Sequence, residues 1–181
     1  MQATNRIALK EWAVVCAALA AGRQTVSLRK GGLDEGPDGF RVQHAQFWLL
    51  PTQFHEGRES LTADAEPLLA ETLAHLPPPG TIRIAQYVVV EEVRHIADLA
   101  AAQRLAPLHI LSEETIRRRF EYRQPGLNLL LPRVYRLLQP LLVSDTPEIA
   151  GCRSWVELPT QLSTAGATPV LSDELFAAVR E

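Results

Sequence analysis

The sequence predicts an α+β fold: a curved mixed or antiparallel sheet, or a small β-barrel, flanked by helices. Three observations predict it. Runs rich in β-branched and aromatic residues, such as IRIAQYVVV and FWLL, read as strands. Apolar residues recur elsewhere at three- and four-residue spacing, the signature of helices. The two kinds of element are mixed without a regular βαβ alternation. At 181 residues the chain suits one domain spanning residues 1–181. A chain of that size buries roughly 70% of its unfolded surface, so it needs neither disulfide nor structural metal to fold.

Taken in order, Leu9, Trp12, Ala13, Cys16 and Leu19 give one apolar face to a helix over about 6–21. Thr4 or Asn5 is placed to cap its start and Gly22 to end it. Thr25 to Arg29 reads as a short strand. Gly31, Gly32, Gly36, Pro37 and Gly39 make the next segment a loop or wide hairpin, with Phe40 to Val42 beginning the return strand. Phe47 to Leu50 is a buried-type strand closed by Pro51. A helical pattern runs from Leu61 to Leu76, with Pro67 in its first turn, and Pro77 to Gly80 end it. Ile82 to Val90 is the clearest strand.

Ala97 to Leu105 looks helical, and Ser112 caps a short helix with Glu113 and Glu114 in its first turn, where the macrodipole favours acids. Leu127 to Leu138, interrupted by Pro132, fits an edge or bulged strand. Cys152 to Leu158 is a further strand, and Ser172 caps a terminal helix. Trp48 and Trp155 lie in apolar strands and belong to the core.

Composition excludes some function classes. A net charge of −3 argues against a globally basic nucleic-acid binder. Charge is uneven, however: six arginines between Arg117 and Arg136 face one acid, Glu121, and local fields steer phosphate ligands. Cys16 and Cys152 match no metal spacing and read as reduced, buried thiols. No apolar run reaches the ~18 residues of a membrane span, and polar residues interrupt the only early apolar run, so no membrane partner is expected and the cytoplasm is the default location.

The segment from Thr25 to Glu56 packs Lys30, Glu35, His44, His55 and Glu56 in and around two strand-like runs. Lys30 before Gly31-Gly32 can offer an anion its charge and a turn of backbone N–H groups; a hairpin turn with a solvated lysine accounts for it equally. The spacing is not that of a P-loop. His44 and His55 with Glu35 and Glu56 have the ligand types for a divalent ion that activates water against a phosphodiester. Neither HExxH nor a CxxC pair supports such a site, and His44 can instead bond a loop carbonyl. A PD-(D/E)xK nuclease needs ExK on a strand, whereas Lys30 follows Ser27-Leu28-Arg29. The strands around SLRKGG and FWLLP are similar to the substrate side of Nudix hydrolases, but the acidic REx2EExGx helix is missing.

In RRRFEYR, Arg117, Arg118, Arg119 and Arg123 can reach phosphates, while Phe120 and Tyr122 offer flat surfaces for bases. Arg117 to Arg119 span about 200° of helical arc, so at most two face one ligand. One is expected to pair with Glu113 or Glu114, and Phe120 to join the core.

The blocks ALKEWAVVCAAL, LRKGGLDE, FWLLPTQFHE, RRRFEYR and GCRSWVEL, in this order, resemble a prokaryotic family catalogued as domain of unknown function 1802. The likeness covers roughly residues 6 to 159. It implies no activity; the association of some relatives with restriction-type endonuclease domains implies a place in a DNA-modification or defence system.

The reading that follows is a nucleic-acid-binding module, with DNA the expected nucleic acid and a nuclease the expected protein partner. Its binding residues are Lys30, Glu35, His44, Thr52, His55, Arg118, Arg119, Arg123 and Arg133. A metal-dependent phosphodiesterase, holding a divalent metal on His44, His55 and Glu56, is the alternative, with no catalytic residue assigned. A non-catalytic subunit docking through an apolar patch near Phe54 or Leu127 to Leu131 is the third. The account requires the histidines and the arginine cluster to share one face.

Overall fold

A computed structural model describes the chain except residues 31, 32, 37, 38, 54–56, 152 and 181, and for 33–36, 39–42 and 150 it describes the backbone alone. A strand, β1 (Thr4–Trp12), opens the chain, and the first helix, α1 (Ala13–Ala20), starts only after it. The single helix expected over 6–21 is therefore wrong in its first half. The cause is burial on both sheet faces, which erases the alternation that marks a strand. Ala8 packs into one core with Trp48 and Tyr87, and its neighbour Leu9 into the other with Val14 and Phe47. Asn5 caps nothing: its side-chain amide donates to the Gln46 carbonyl at 2.8 Å and the Tyr87 hydroxyl at 3.0 Å. Gly22 does follow α1, in the left-handed region at φ 69°.

Next come β2 (Ser27–Arg29), the hairpin β3 (Leu33–Gly36) and β4 (Gly39–Val42), and β5 (Gln46–Thr52). Pro51 lies within β5 rather than closing it. Two 3₁₀ turns precede α2 (Glu66–Ala74), shortening the expected helix, and Pro67 is in its first turn. Beyond it lie β6 (Thr81–Ile96), α3 (Leu99–Gln103), α4 (Glu113–Glu121) and β7 (Leu127–Ser144). The chain finishes with α5 (Pro147–Ala150), β8 (Trp155–Ser163), β9 (Thr168–Pro169) and α6 (Asp173–Arg180). Ser112 caps α4, its hydroxyl accepting from Thr115 N–H at 3.2 Å, and Ser172 does the same for α6 through Leu175 N–H at 3.2 Å.

The main sheet runs β2-β7-β6-β5-β1-β8, with β9 added on β7. It is mixed, because β1 and β5 are parallel, with Ala8 opposite Trp48 and Trp12 opposite Thr52, while the other pairs are antiparallel. The α+β class with a curved mixed sheet is what the sequence predicts. The long β6–β7 ribbon bends at two register shifts, between Ile84 and Gln86 and between Val90 and Glu92. Pro132 sits opposite Val90 at the second. It needs no edge position: β7 is interior, and Pro132 falls in the gap between its pairings with β2, ending at Leu130, and with β9, at Tyr135.

Helices α1, α2 and α4 cover one sheet face over a core that includes Val14, Leu69, Phe47, Ile116 and Phe120. Trp48, fully buried in the second core, donates its indole N–H to the Asn5 carbonyl at 3.0 Å. Leu127, Leu130 and Leu131 are also buried, so the apolar docking patch expected there does not exist; Phe54 lies outside the described residues. Among the described residues no helix is long and apolar enough to cross a membrane.

Candidate nucleic-acid interface

The segment RRRFEYR divides its side chains between core and surface because α4 has one buried face. Ile116 and Phe120, four apart, point into the core. Arg117 pairs with Glu114 one turn earlier, as the spacing predicts. Arg118 is exposed. The Arg119 side chain turns inward, lies over the Trp12 ring with its guanidinium carbon 4.6 Å from the centroid, and donates to the Leu28 carbonyl at 3.1 Å. Burial pushes the Arg119 pKa down, while Glu11 nearby raises it; arginine keeps its charge under such conditions.

Glu11 is the acid behind this cluster, and two guanidinium groups share it. Its carboxylate accepts from Arg29 at 2.7 Å and from Trp12 N–H at 2.9 Å, and it faces Arg119 as well. Glu11 thus ties Arg29 and Arg119 together behind the surface of α4.

Helix α4 ends in a built cap. Arg123 takes the left-handed conformation at φ 62°, a place that glycine usually fills. Gly126 N–H closes back on the Phe120 carbonyl at 3.1 Å. Lys30 reaches across from the end of β2 and donates to the carbonyls of Phe120 at 3.1 Å, Gly126 at 2.7 Å and Gln124. Those three bonds use every ammonium proton, so Lys30 works as a cation on the negative end of the helix. Burial lowers its pKa. Gly126 itself is required, since at φ 126° a Cβ would lie 2.7 Å from the His95 ring.

Between this cap, Trp12 and the turn at Gly57 to Ser60 lies a cleft of about 530 Å³, also lined by Lys30, Arg118, Arg119 and Tyr122. Among the described residues its charged lining is three cations against Glu59. At its mouth the Tyr122 ring is 55% exposed, with the Arg123 guanidinium 5.2 Å from the ring centroid. An exposed aromatic ring beside Arg123, in a cleft that Arg118 also lines, combines the groups that stack bases and neutralise phosphates.

The other expected site residues lie elsewhere. Arg133 is buried, with its guanidinium 2.5 Å from Asp173, 3.2 Å from the Ser172 carbonyl and stacked on Phe176 at 4.6 Å. It fastens α6 to the sheet and is removed from the phosphate-binding set. His44 is half-buried and packs edge-on against Trp155, ring centroids 5.1 Å apart. Thr52 donates its hydroxyl to the Glu11 carbonyl at 3.3 Å and borders a different, larger cleft. His55 and Glu56 lie outside the described residues, as do Gly31, Gly32 and the side chain of Glu35. Lys30, Arg118 and Arg119 thus line one cleft, with Arg123 over the Tyr122 ring that also lines it; His44 is not among the lining residues. Among the described residues no three His, Cys, Asp or Glu side chains converge as a metal shell.

Sequence reasoning missed Trp12, Glu11 and Arg29. A tryptophan followed by a helix reads as core, and only the β1–α1 junction turns Trp12 toward α4.

No curated protein matches the chain. Among solved structures, the crystal structure of ASCH from Zymomonas mobilis is similar at 14% identity, covering 96% of this chain and 92% of that one, with a TM-score of 0.45. Two mutant proteins of ZmASCH give 15% identity and TM-scores of 0.44, one covering 98% of this chain and 96% of its own, the other 96% and 95%. The family model for a domain of unknown function, DUF1802, matches residues 8–181.

Proposed function

We propose that this chain, which belongs to the DUF1802 family, is a nucleic-acid-binding module that holds a single strand at the cleft beside α4. One observation carries the reading: the exposed Tyr122 ring, with the Arg123 guanidinium over it, lines with Arg118 a cleft whose described lining is net cationic. A base needs a free π-face to stack on that ring, and a duplex keeps its base faces inside the stack, so the unpaired strand is the better ligand. Arg118 and Arg123 bind its phosphates. Arg119, held over Trp12, adds field without reaching out. DNA is the proposed strand, from the family's association with restriction-type systems rather than from any contact.

Fluorescence anisotropy at low salt, with labelled single- and double-stranded DNA and a single-stranded RNA of the same sequence, tests the reading. Single strands should bind more tightly than the duplex. Tyr122→Ala should cost about 1–3 kcal/mol, roughly a 5- to 150-fold loss of affinity, while Tyr122→Phe keeps the stack and most of the affinity. No association with any oligonucleotide at low salt would end the proposal.

A further inference from the structure

We infer that the larger cleft is a second binding site, for a small organic anion that also carries an N–H donor. This inference stands independently of the single-strand reading. The cleft encloses about 730 Å³, within the roughly 300–1,000 Å³ typical of small-molecule sites. It opens beside the carboxyl ends of the parallel strands β1 and β5, where Lys10 and Thr52 line it. Ala13, Cys16 and Ala17 of α1, with Leu76 and the Pro77–Pro79 run, supply apolar walls that suit a flat or compact body.

Gln86 carries the inference. It lines the cleft, is only 8% exposed, and its buried Oε1 has no hydrogen-bond partner among the described residues. Buried acceptors are satisfied in nearly all proteins, and those that are not commonly await a ligand or water. Gln86 stands at the register shift on β6, and such bulges re-aim side chains beside binding sites. An N–H group on the guest completes its bonding once the amide turns Oε1 from this sealed position to the cleft wall.

Charge selects the rest of the guest. Arg83 lines the same cleft, is exposed, and is in no ion pair among the described residues. Lys10 adds a second cation, although its ammonium also donates to the Gly151 carbonyl. Asp145 is the opposing carboxylate and provides a second acceptor for N–H groups. A body with an N–H edge and a phosphate or carboxylate satisfies all of these at once. Nucleoside monophosphates and N-acylated aromatic amino acids are two sources of that chemistry.

Isothermal titration calorimetry and thermal shift on the full chain, with the four ribonucleoside 5′-monophosphates in one arm and N-acetylated aromatic amino acids in the other, test it. At least one arm should bind and raise the melting temperature. Gln86→Leu should weaken that binding at least tenfold, leave the empty protein no less stable because the orphaned acceptor is gone, and leave oligonucleotide affinity unchanged. Arg83→Ala should weaken the charged probe at least threefold while leaving the matching neutral nucleoside or N-acetyl amide unaffected, which keeps the test sharp if Gln86→Leu does not fold. Binding in neither arm overturns the inference, as does binding that Gln86→Leu and Arg83→Ala both leave intact.

Discussion

Arg123→Gly should make the protein more stable and a poorer ligand binder at once. Arg123 is held at φ 62°, in the left-handed region, which costs a non-glycine residue roughly 1–2 kcal/mol. Glycine relieves that cost, but its greater freedom in the unfolded chain takes back about 0.5–1 kcal/mol. The variant also loses the cation–π contact with Tyr122, with guanidinium and ring 5.2 Å apart, worth about 0.5 kcal/mol at an exposed site. The balance spans a loss of about 0.5 to a gain of about 1 kcal/mol and is centred on a small gain, with the upper end worth roughly 2–4 °C in Tm for a chain of this size. Backbone strain of this kind persists where a function requires the side chain. The same substitution removes one phosphate contact, so the salt slope of single-strand binding should shrink by about 0.7. Differential scanning calorimetry and anisotropy titrations on the same preparations measure both quantities. A variant less stable than wild type by more than about 0.5 kcal/mol would refute the strain argument; unchanged affinity and slope would remove Arg123 from the site.

Two further outcomes follow from buried and capping groups. His109 is buried beside Arg119, and burial first, then that charge, brings its pKa down to about 4, while its Nδ1 accepts from Leu111 N–H at 3.2 Å. The unfolded chain binds a proton near pH 6.5 that the folded chain refuses until about pH 4, so this stabilising contribution is complete above 6.5 and declines as pH falls through that window, by about 3 kcal/mol at most. Urea denaturation of His109→Asn between pH 4 and 7 should show a flatter pH dependence than wild type by that amount; parallel curves would contradict it. Lys30→Ala leaves three carbonyls at the end of α4 without their cation, and should cost about 2 kcal/mol of stability by the same assay. Because that ammonium is saturated, the salt slope of binding should hardly change. A large fall in slope with intact stability would show that Lys30 grips the ligand instead.

The class of fold was legible because strands and helices leave different periodicities, and Ile82 to Val90, Ser112 and Ser172 announced themselves. The first helix was misjudged because β1 and α1 are both buried nearly all round, and residues buried on every side carry no period. Pro132 suggested an edge or a bulge, and a register shift does lie beside it; the gap in hydrogen bonding that admits it also depends on where β2 and β9 end, which no local pattern encodes. At the site, RRRFEYR was recognisable as a cationic, aromatic segment, and the pairing of one arginine with Glu113 or Glu114 was foreseeable from helix spacing. That Arg133 belongs to α6 was not, because its partners Ser172 and Asp173 lie some forty residues on. The use of Lys30 as a helix cap was hidden likewise, since the carbonyls it serves lie about ninety residues away. Long-range polar partners convert apparent binding residues into structural ones.

The salt dependence of single-strand affinity tests the central claim most directly. With Arg118 and Arg123 neutralising about two phosphates, a plot of log affinity against log salt concentration should fall with a slope near −1.4, roughly a fivefold loss over a threefold rise in salt. Arg118→Glu should flatten that slope and weaken binding at every salt concentration. A wild-type slope near zero, or a steep slope that Arg118→Glu leaves untouched, would mean that the cleft beside α4 is not where this protein meets nucleic acid.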